Sequence, residues 1–350
     1  MKKQIMPELS VIIVNYNGAL YAARCIKSIL SSNAISKEII IVDNKSTKND
    51  VAFLRDKFNK KIKIIKMRDN YGPARARNEG VKHSKGKYIA FLDNDTKVHP
   101  NWANTAIEEF KKHKDLGVIQ CKLLLMKDHS KLDYVGEYLG QNGFLVQRAK
   151  GGEVDNGKFN HKVEILAAKS AGMFIRREAF LSAGGFDNDY FIYVEETDLG
   201  WRSWLKGYRT IYLPSSIVYH EFGTSSIILS KNQNSYNTKF HGSKNYILTL
   251  IKNLGNESLI RILPLHVILW LGLSLYVFFR GDYKASFWIL KGVVWNIINL
   301  KKSLRKRHVI QKKRKALDHD LFPKILMKKP FKYFLEKATV KHTIGNAQSF

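Results

Sequence analysis

Apolar residues in the first 125 positions recur in two alternating patterns. Short runs rich in β-branched residues predict buried strands, and the segments between them repeat apolar residues every three or four positions, as helices do. This order predicts a mostly parallel sheet with helices on both faces, because parallel strands need crossover helices. The predicted strands are LSVIIVNYN, KEIIIVDN, KIKIIKM, KYIAFLDND and GVIQCKLLL.

Four helical segments separate these strands. The second begins near Ser46 or Thr47, residues that suit a helix N-cap, and Pro73 suits the first turn of the third. The predicted helices are GALYAARCIKSILSSN, STKNDVAFLRDKFN, PARARNEGVKHS and residues 101–113.

Polar side chains follow three of the predicted strands. Asn15 and Asn17 come after the first strand, Asp43 after the second, and Asp93 and Asp95 after the fourth. Ligands of parallel sheets bind outside the carboxyl ends of strands, so these residues predict one shared cleft. Two carboxylates two residues apart in an extended chain point the same way and can reach one hard cation, although Asp-Asn-Asp also suits an exposed turn.

Several common classes are excluded by missing motifs. The sequence has no G-x-G-x-x-G after the first strand and no P-loop, which argues against a dinucleotide-binding dehydrogenase and a P-loop NTPase. The two cysteines, Cys25 and Cys121, form no zinc or redox motif and fit a reducing compartment. The first residues lack the apolar region of a signal peptide, so none is expected.

Residues 126–165 have a loose pattern rich in Gly and Lys, and we expect a variable, acceptor-facing region there. From residue 166 the pattern predicts a strand, a short helix, a Gly-Gly turn, a helix with an acidic start, a further strand and a loop with His220. The acidic start, YVEETDLGWR, contains Glu195, Glu196 and Asp198. Acids in a first helical turn also favour the helix dipole.

The chain becomes strongly apolar after residue 260. ILPLHVILWLGLSLYVFF, between Arg261 and Arg280, has the minimum length for a transmembrane helix. ASFWILKGVVWNIINL, which contains Lys291, predicts a second membrane segment or an interfacial helix. A buried hairpin of a soluble domain is the alternative.

Basic residues dominate the end of the chain. The net charge is +29, and from Lys301 onward fifteen Lys and Arg residues face three acidic ones, an excess of +12. Such a segment predicts an anionic partner, either lipid headgroups or nucleic acid, unless it is merely solvated. If both ends of the chain lie in the cytoplasm, the two apolar segments together cross the membrane either twice or not at all.

Seven motifs together resemble family 2 glycosyltransferases of the GT-A fold, over residues 8–225. They are SVIIVNYN, IIIVDN, DNYGPARARNEG, GKYIAFLDND, SAGMFIRREAF, GGFDNDYFIYVEETDLGWR and VYH. Within the family they look most like the rhamnosyltransferase-like and galactofuranosyltransferase-like enzymes of surface-polysaccharide assembly. The resemblance implies transfer of a hexose or deoxyhexose from a nucleotide-diphosphate sugar, with Mn²⁺ or Mg²⁺ as cofactor.

The resemblance also implies roles for individual residues. The metal ligands are Asp93, Asp95 and His220. The residues that contact the nucleotide sugar are Asn15, Asn17, Asp43, Arg77, Asp93 and Asn94.

The implied catalytic base departs from the family pattern. The family places an Asp where this chain has Glu196, so the carboxylate is kept on a side chain one methylene longer. Glu195 and Asp198 are further candidates for the role, since an inverting transferase needs a base that takes the acceptor hydroxyl proton. The Q-x-x-R-W signature of processive synthases is absent from the sequence, which favours transfer of one or a few sugars.

The expected organisation is a GT-A domain over 1–225, a helical linker over 226–258, a hydrophobic or interfacial hairpin over 259–300 and a basic tail over 301–350. The expected function is inverting, metal-dependent transfer to a lipid-linked or cell-surface glycan at the cytoplasmic face of the cell membrane, with no nucleic acid as partner. A polyisoprenyl-phosphate glycosyltransferase is the first alternative. A non-catalytic membrane or nucleic-acid binding protein, whose binding would depend strongly on salt, is the second.

Overall fold

The predicted alternation of strands and helices is confirmed in the first half of the chain. The computed structural model describes residues 6–33, 35–47, 49–221, 231–330 and 332–334, without the side chains of 231–235. Its first elements are β1 (Leu9–Asn15), α1 (Ala19–Leu30), β2 (Lys37–Asp43), α2 (Asp50–Phe58), β3 (Lys63–Lys66), α3 (Gly72–Lys82) and β4 (Tyr88–Asp93). The four strands are parallel, in the order β3-β2-β1-β4.

The second half of the domain contains strands of mixed direction. Its elements are β5 (Thr96–Val98), α4 (Trp102–Lys112), β6 (Leu116–Leu125), β7 (Leu132–Tyr134), β8 (Glu137–Gly140), β9 (Leu145–Gln147), β10 (Val163–Glu164), β11 (Met173–Arg176), α5 (Arg177–Ala183), α6 (Glu195–Leu205) and β12 (Arg209–His220). β8 and β9 pair with each other in a separate small sheet, and the other strands extend the main sheet. β11 lies antiparallel between β4 and β6, while β12 is parallel to β6. The α/β fold class is therefore confirmed, with an antiparallel insertion in the outer half.

Successive residues of the central strands point to opposite faces of the sheet, and helices cover both faces. Val11 and Ile13 of β1 pack in the core formed with α1, α2 and α4, while Ile12 packs in the core formed with α3, α5 and α6. Because both faces are buried, these strands appear in the sequence as continuous apolar runs rather than as alternating ones.

The C-terminal helices share a core with the sheet domain. They are α7 (Lys231–Asn253), α8 (Asn256–Phe279), α9 (Tyr283–Ile298), α10 (Leu300–Lys312) and α11 (Asp318–Ile325), followed by β13 (Leu326–Met327), which pairs with β8. Trp201 and Trp204 of α6 lie in one cluster with Leu250 of α7, Ile262 of α8 and Leu321 of α11. Helix α6 is thus packed between the sheet and the C-terminal helices.

Two local predictions are wrong. Helix α2 begins at Asp50 after an N-cap at Asn49, because the hydroxyl group of Ser46 bonds to Asp43 and the segment around Thr47 forms a loop. His220 is the last residue of β12 rather than a loop residue. The predicted boundary at residues 225 and 226 and the last sixteen residues of the basic tail lie outside the described residues.

Candidate active site

Three potential metal ligands meet where β4 and β12 end. Asp93 is the last residue of β4, Asp95 lies in the turn before β5, and His220 pairs with Thr96 of β5. One ligand atom of each residue lies within 4.8 Å of the others, and His220 Nε2 is 3.3 Å from Asp95 Oδ1. Two carboxylate oxygens and one imidazole nitrogen at this spacing fit a divalent cation.

Asp133 of β7, which the sequence did not single out, contacts the other side of the His220 ring. His220 Nδ1 lies 2.8 Å from Asp133 Oδ2. Burial alone lowers the pKa of His220, but in the protein without metal the Asp133 and Asp95 carboxylates outweigh burial and hold that pKa well above its ordinary value. A cation that binds at Nε2 would take the place of a proton there. A carboxylate on the second ring nitrogen is the usual way in which a ligating histidine is oriented.

Arg77 of α3 connects the metal cluster to the acidic start of α6. Its guanidinium nitrogens lie 2.8 Å from Glu195 Oε1, 3.2 Å from Asp93 Oδ1 and 3.8 Å from Glu196 Oε1. Burial raises the pKa of Asp93, and the nearby Arg77 opposes that rise. The Arg77 side chain is only 7% exposed, and its single positive charge is shared among three carboxyl groups, of which Glu195 is buried with it.

Glu196 is the acid of α6 that reaches the cleft. Its side chain is 20% exposed, compared with 4% for Glu195. The backbone N–H of Ser170 donates to Glu196 Oε1 at 2.7 Å, and the Ser170 hydroxyl group bonds to the same oxygen. That hydroxyl group also lies 3.4 Å from Asp93 Oδ1, so Ser170 connects the metal cluster to Glu196.

The other two acids of α6 are buried within the protein. Burial raises the pKa of Glu195 to about 7, with a further contribution from Glu196 and an opposing one from Arg77. Asp198 is fully buried and forms ion pairs with Arg202 at 2.6 Å and Lys252 at 2.8 Å. Of the three acids, Glu196 therefore reaches the cleft, Glu195 lies buried against Arg77, and Asp198 lies outside the site.

The predicted nucleotide-contacting residues at the ends of β1 and β2 form one hydrogen-bonded cluster. Asn15 Nδ2 donates to Asp50 Oδ2 at 2.9 Å, and Asn15 Oδ1 accepts from Asn94 Nδ2 at 3.1 Å. The Ser46 hydroxyl group donates to Asp43 Oδ1 at 2.6 Å. These bonds fix the three loops relative to one another, next to the metal cluster.

Asn17 and Gly18 give the loop after β1 its shape. Asn17 has a left-handed backbone with φ of +53°, and its side-chain oxygen accepts from the Thr47 backbone N–H at 2.8 Å. A Cβ atom at Gly18 would collide with the Asn94 amide. Asn tolerates the left-handed region better than other residues with a side chain, so both positions suit the tight loop.

Three residues that complete the site escaped the sequence-based prediction. Asp133 lies in the region without a clear pattern, Ser170 precedes an apolar strand, and Asp50 begins a helix as many surface acids do. Their partners are 87, 26 and 35 residues away along the chain. Only the fold brings these pairs together, so no local pattern identifies them.

Replacing Arg77 by Met is expected to lower the free energy of unfolding by about 3–5 kcal/mol at pH 8, because Glu195 and Asp93 lose a buried counter-charge. Folding raises the pKa of the Glu195 carboxyl group to about 7. Such a group stabilises the folded protein at pH values below its pKa in the unfolded chain, and this stabilisation is lost as the pH rises through about 7. Without Arg77 the pKa of Glu195 rises further, so the loss should shrink at pH 5.5.

Urea unfolding at both pH values measures this effect. Arg75→Met is the matched control, because Arg75 lies on the same helix with an exposed side chain. An equal loss of stability in the two variants, or a loss for Arg77→Met that does not change with pH, would contradict the account.

Comparison with known families defines the class of the protein as a glycosyltransferase. The family model described as glycosyl transferase family 2 matches residues 10–124, and the model described as glycosyl transferase family group 2 matches residues 88–280. Because the second match covers more than half of the 350 residues, the chain belongs to the family 2 glycosyltransferase group.

Individual relatives agree with this assignment. Poly-beta-1,6-N-acetyl-D-glucosamine synthase of Staphylococcus epidermidis is 26% identical over 216 residues, which are 60% of this chain and 49% of the relative. The chain spans half or less of the length of the curated relatives it matches. The relatives do not single out the rhamnosyltransferase-like or galactofuranosyltransferase-like subgroup.

Solved structures confirm the GT-A-like fold. GalNAc-T7, crystallised with UDP, GalNAc and Mn²⁺, aligns with a TM-score of 0.57 and 18% identity over 73% of this chain and 49% of that chain. Mannosyltransferase PcManGT from Pyrobaculum calidifontis, in complex with GDP-Man and Mn²⁺, aligns with a TM-score of 0.52 and 13% identity over 89% of this chain and 86% of that chain.

Proposed function

We propose that this protein is an inverting, divalent-metal-dependent glycosyltransferase that moves a hexose or deoxyhexose from a nucleoside-diphosphate donor to a glycan acceptor at a membrane surface. The observation that carries the proposal is the position of Ser170, which contacts Asp93 on one side and Glu196 on the other. A donor diphosphate at the metal cluster and an acceptor hydroxyl group at Glu196 would therefore meet within one cleft.

Asp93, Asp95 and His220 are the residues proposed to hold the cation. A divalent cation bound there would neutralise the charge that develops on the departing diphosphate. Mg²⁺ prefers an all-oxygen shell, whereas Mn²⁺ tolerates an imidazole, so His220 favours Mn²⁺. The presence of Mn²⁺ in the solved structures of GalNAc-T7 and PcManGT supports this preference.

Glu196 is the proposed general base. The acceptor oxygen forms a bond to the anomeric carbon while the bond from that carbon to the diphosphate oxygen breaks, and the hydroxyl proton passes to Glu196. Attack on the face opposite the leaving group inverts the configuration at the anomeric carbon. Glu195 and Asp198 are assigned a structural part, because both are buried and both are paired with basic residues.

The loops after β1 and β2 are proposed to form the nucleoside side of the cleft. Asn15 and Asp43 use their polar atoms within the protein, so we assign them to shaping this wall. Asn17 and Asn94 lie on the same connected loops, next to the metal cluster. Such an arrangement positions the donor without reorganisation when it binds.

The C-terminal helices are proposed to lie on an anionic membrane surface. Within the described residues, α8 is the one helix whose length and composition suffice to cross a membrane. Helix α9 has 16 residues and is about 24 Å long, shorter than the apolar core of a bilayer at about 30 Å. A hairpin that crosses the membrane twice is therefore disfavoured, and in-plane binding is favoured.

The exposed faces of these helices have the composition of an interfacial surface. One stripe of α8 packs against the protein through Ile262, His266 and Trp270, while its other side is apolar and exposed. Exposed Lys301 and Arg305 follow on α10. The exposed apolar residues include Ile268, Leu275, Phe279, Phe287, Leu290, Ile297, Leu300 and Leu304.

The double variant Leu275→Asp/Phe279→Asp is expected to weaken binding to vesicles of phosphatidylcholine and phosphatidylglycerol at least about 10²-fold, since each buried side chain contributes about 1.5–3 kcal/mol. Vesicle flotation measures the effect. The double variant Val154→Asp/Leu181→Asp is the control, because both residues are exposed apolar positions outside the C-terminal helices. Equal vesicle binding by the two double variants would contradict the proposal that the C-terminal helices bind the membrane.

The proposed function is tested with a panel of UDP- and GDP-linked sugars, with and without Mn²⁺, in the presence of a lipid-linked oligosaccharide or polyisoprenyl phosphate. We expect nucleotide release that requires Mn²⁺ and stops with a chelator. An extended lipid-linked oligosaccharide as product supports the first proposal, and a single sugar on the lipid supports the polyisoprenyl-phosphate alternative. Full activity in chelator would exclude the metal-dependent mechanism.

A further inference from the structure

The turn that leads into helix α6 has an unusual backbone. Phe191, Tyr193 and Val194 have φ values of +41°, +68° and +66°, a region that residues with a Cβ atom rarely adopt and that a β-branched residue adopts least. Val194 is the N-cap of α6, so the turn sets the position from which Glu195 and Glu196 project. Strained turns persist only where their surroundings fix them.

Asn245 of α7 fixes this turn. Its side-chain nitrogen donates to the backbone carbonyl oxygen of Ile192 at 2.8 Å and to that of Tyr193 at 2.7 Å. Asn245 is fully buried, so water does not compete for either carbonyl group. One amide group thus donates hydrogen bonds to two consecutive carbonyl groups of the 191–194 turn. These carbonyl groups belong to no helix or strand that would provide them with a partner.

The same C-terminal helices also fix the start of this loop. Lys252 Nζ lies 2.7 Å from Asp187 Oδ2, and Lys306 Nζ lies 2.7 Å from Asp189 Oδ2. Lys244 Nζ donates to the Asp189 carbonyl oxygen at 2.5 Å. The segment from Asp187 to Tyr193 is therefore bonded at both ends to residues of α7 and α10.

We propose that Asn245 is a positioning residue for the transfer reaction, which acts through the 191–194 turn to place Glu196 against the acceptor hydroxyl group. In this role the Asn245 side chain bonds to the turn. It contacts neither the sugar donor nor the metal cluster. The helices beyond residue 230 then complete the acceptor half of the site in addition to forming the proposed membrane surface. This inference rests on the proposed assignment of Glu196 as the base.

The chain offers a matched control for testing this role. Asn296 of α9 is also a buried asparagine, and its side-chain nitrogen donates to two carbonyl oxygens, those of Lys244 and Gly292, both at 3.0 Å. Asn245→Leu and Asn296→Leu therefore each remove a buried amide that bonds to two carbonyl groups, and those bonded by Asn296 lie within helices. Only the first removes it from the turn before Glu196.

Hydrogen exchange of the segment 187–197 and turnover are measured on both variants of the full chain. We expect Asn245→Leu to lose protection in this segment and to lower kcat on the order of 10²-fold, the usual effect of a misplaced reacting group. Its affinity for UDP with Mn²⁺ should stay within about threefold of wild type. Asn296→Leu should keep both the hydrogen-exchange protection of this segment and the turnover of wild type, even if its thermal stability falls as much as that of Asn245→Leu.

Equal protection of the segment in the two variants, or equal turnover, would overturn the proposal. If either Leu variant fails to fold, the pair Asn245→Ser and Asn296→Ser provides the same comparison with smaller perturbation. Glu196→Gln, measured alongside, separates the role of Glu196 from that of Asn245. Retained transfer by Glu196→Gln refutes the base assignment, whereas an inactive Glu196→Gln with a fully active Asn245→Leu refutes only the positioning role.

Discussion

Glu196→Gln is expected to lower turnover by about 10²- to 10⁴-fold while donor binding stays intact, which is the usual contribution of a general base. The substituted side chain keeps the oxygen that accepts from Ser170 at 2.7 Å, so it should occupy the same place. What it loses is the ability to take the acceptor proton. Stopped assays of nucleotide release, together with calorimetric titration of UDP and Mn²⁺, measure the two properties separately.

Glu178→Gln is the control for this experiment. Glu178 lies in the first turn of the neighbouring helix α5, and its side chain is 64% exposed. The control should retain wild-type turnover. If Glu196→Gln is as active as Glu178→Gln, another group takes the proton and the assignment of Glu196 is wrong.

Asp95→Asn is expected to weaken Mn²⁺ binding in the presence of UDP at least about 10²-fold and to reduce turnover accordingly, because removing a direct ligand costs more than the 10- to 100-fold typical of residues behind the ligands. Without metal, the stability should change little, because Asp95→Asn removes both the attraction between Asp95 and His220 and the repulsion between Asp95 and Asp93. The substitution removes one of the acidic groups that crowd around Asp93, and their mutual repulsion raises the pKa of Asp93.

Manganese affinity from electron paramagnetic resonance and melting temperature from calorimetry test both parts of this prediction. Asp128→Asn serves as the control, since Asp128 is a half-exposed acid in a loop of the same sheet domain. Unchanged Mn²⁺ affinity in Asp95→Asn would show that the cation binds elsewhere, and a large loss of stability without metal would show that Asp95 has a structural role instead.

The central half of the fold could be predicted from the sequence because its signals are local. Strands β1, β2 and β4 are largely buried on both faces and appear as continuous apolar runs, and the crossover helices carry their own spacing. The acids at the ends of β2 and β4 could be placed in one cleft because parallel strands end at the same edge of a sheet.

The rest of the site depends on contacts between distant parts of the chain. Ser170 contacts Glu196, Asp133 contacts His220, and Asn245 contacts Tyr193 through bonds that no periodic pattern records. The three acids of α6 look equivalent in the sequence, and only burial separates Glu196 from the other two. The predicted N-cap of α2 is wrong because the Ser46 hydroxyl group bonds to Asp43 and accepts from the backbone N–H of Asn17, 29 residues away, and this tertiary contact overrides the local preference.

The position of the bound cation tests the central claim most directly. Crystals of the protein grown with UDP and Mn²⁺, measured at the manganese absorption edge, should show one anomalous peak coordinated by Asp93, Asp95 and His220 and by the diphosphate oxygens. A peak at another group of residues, or UDP bound in the cleft with no manganese beside it, would contradict the account.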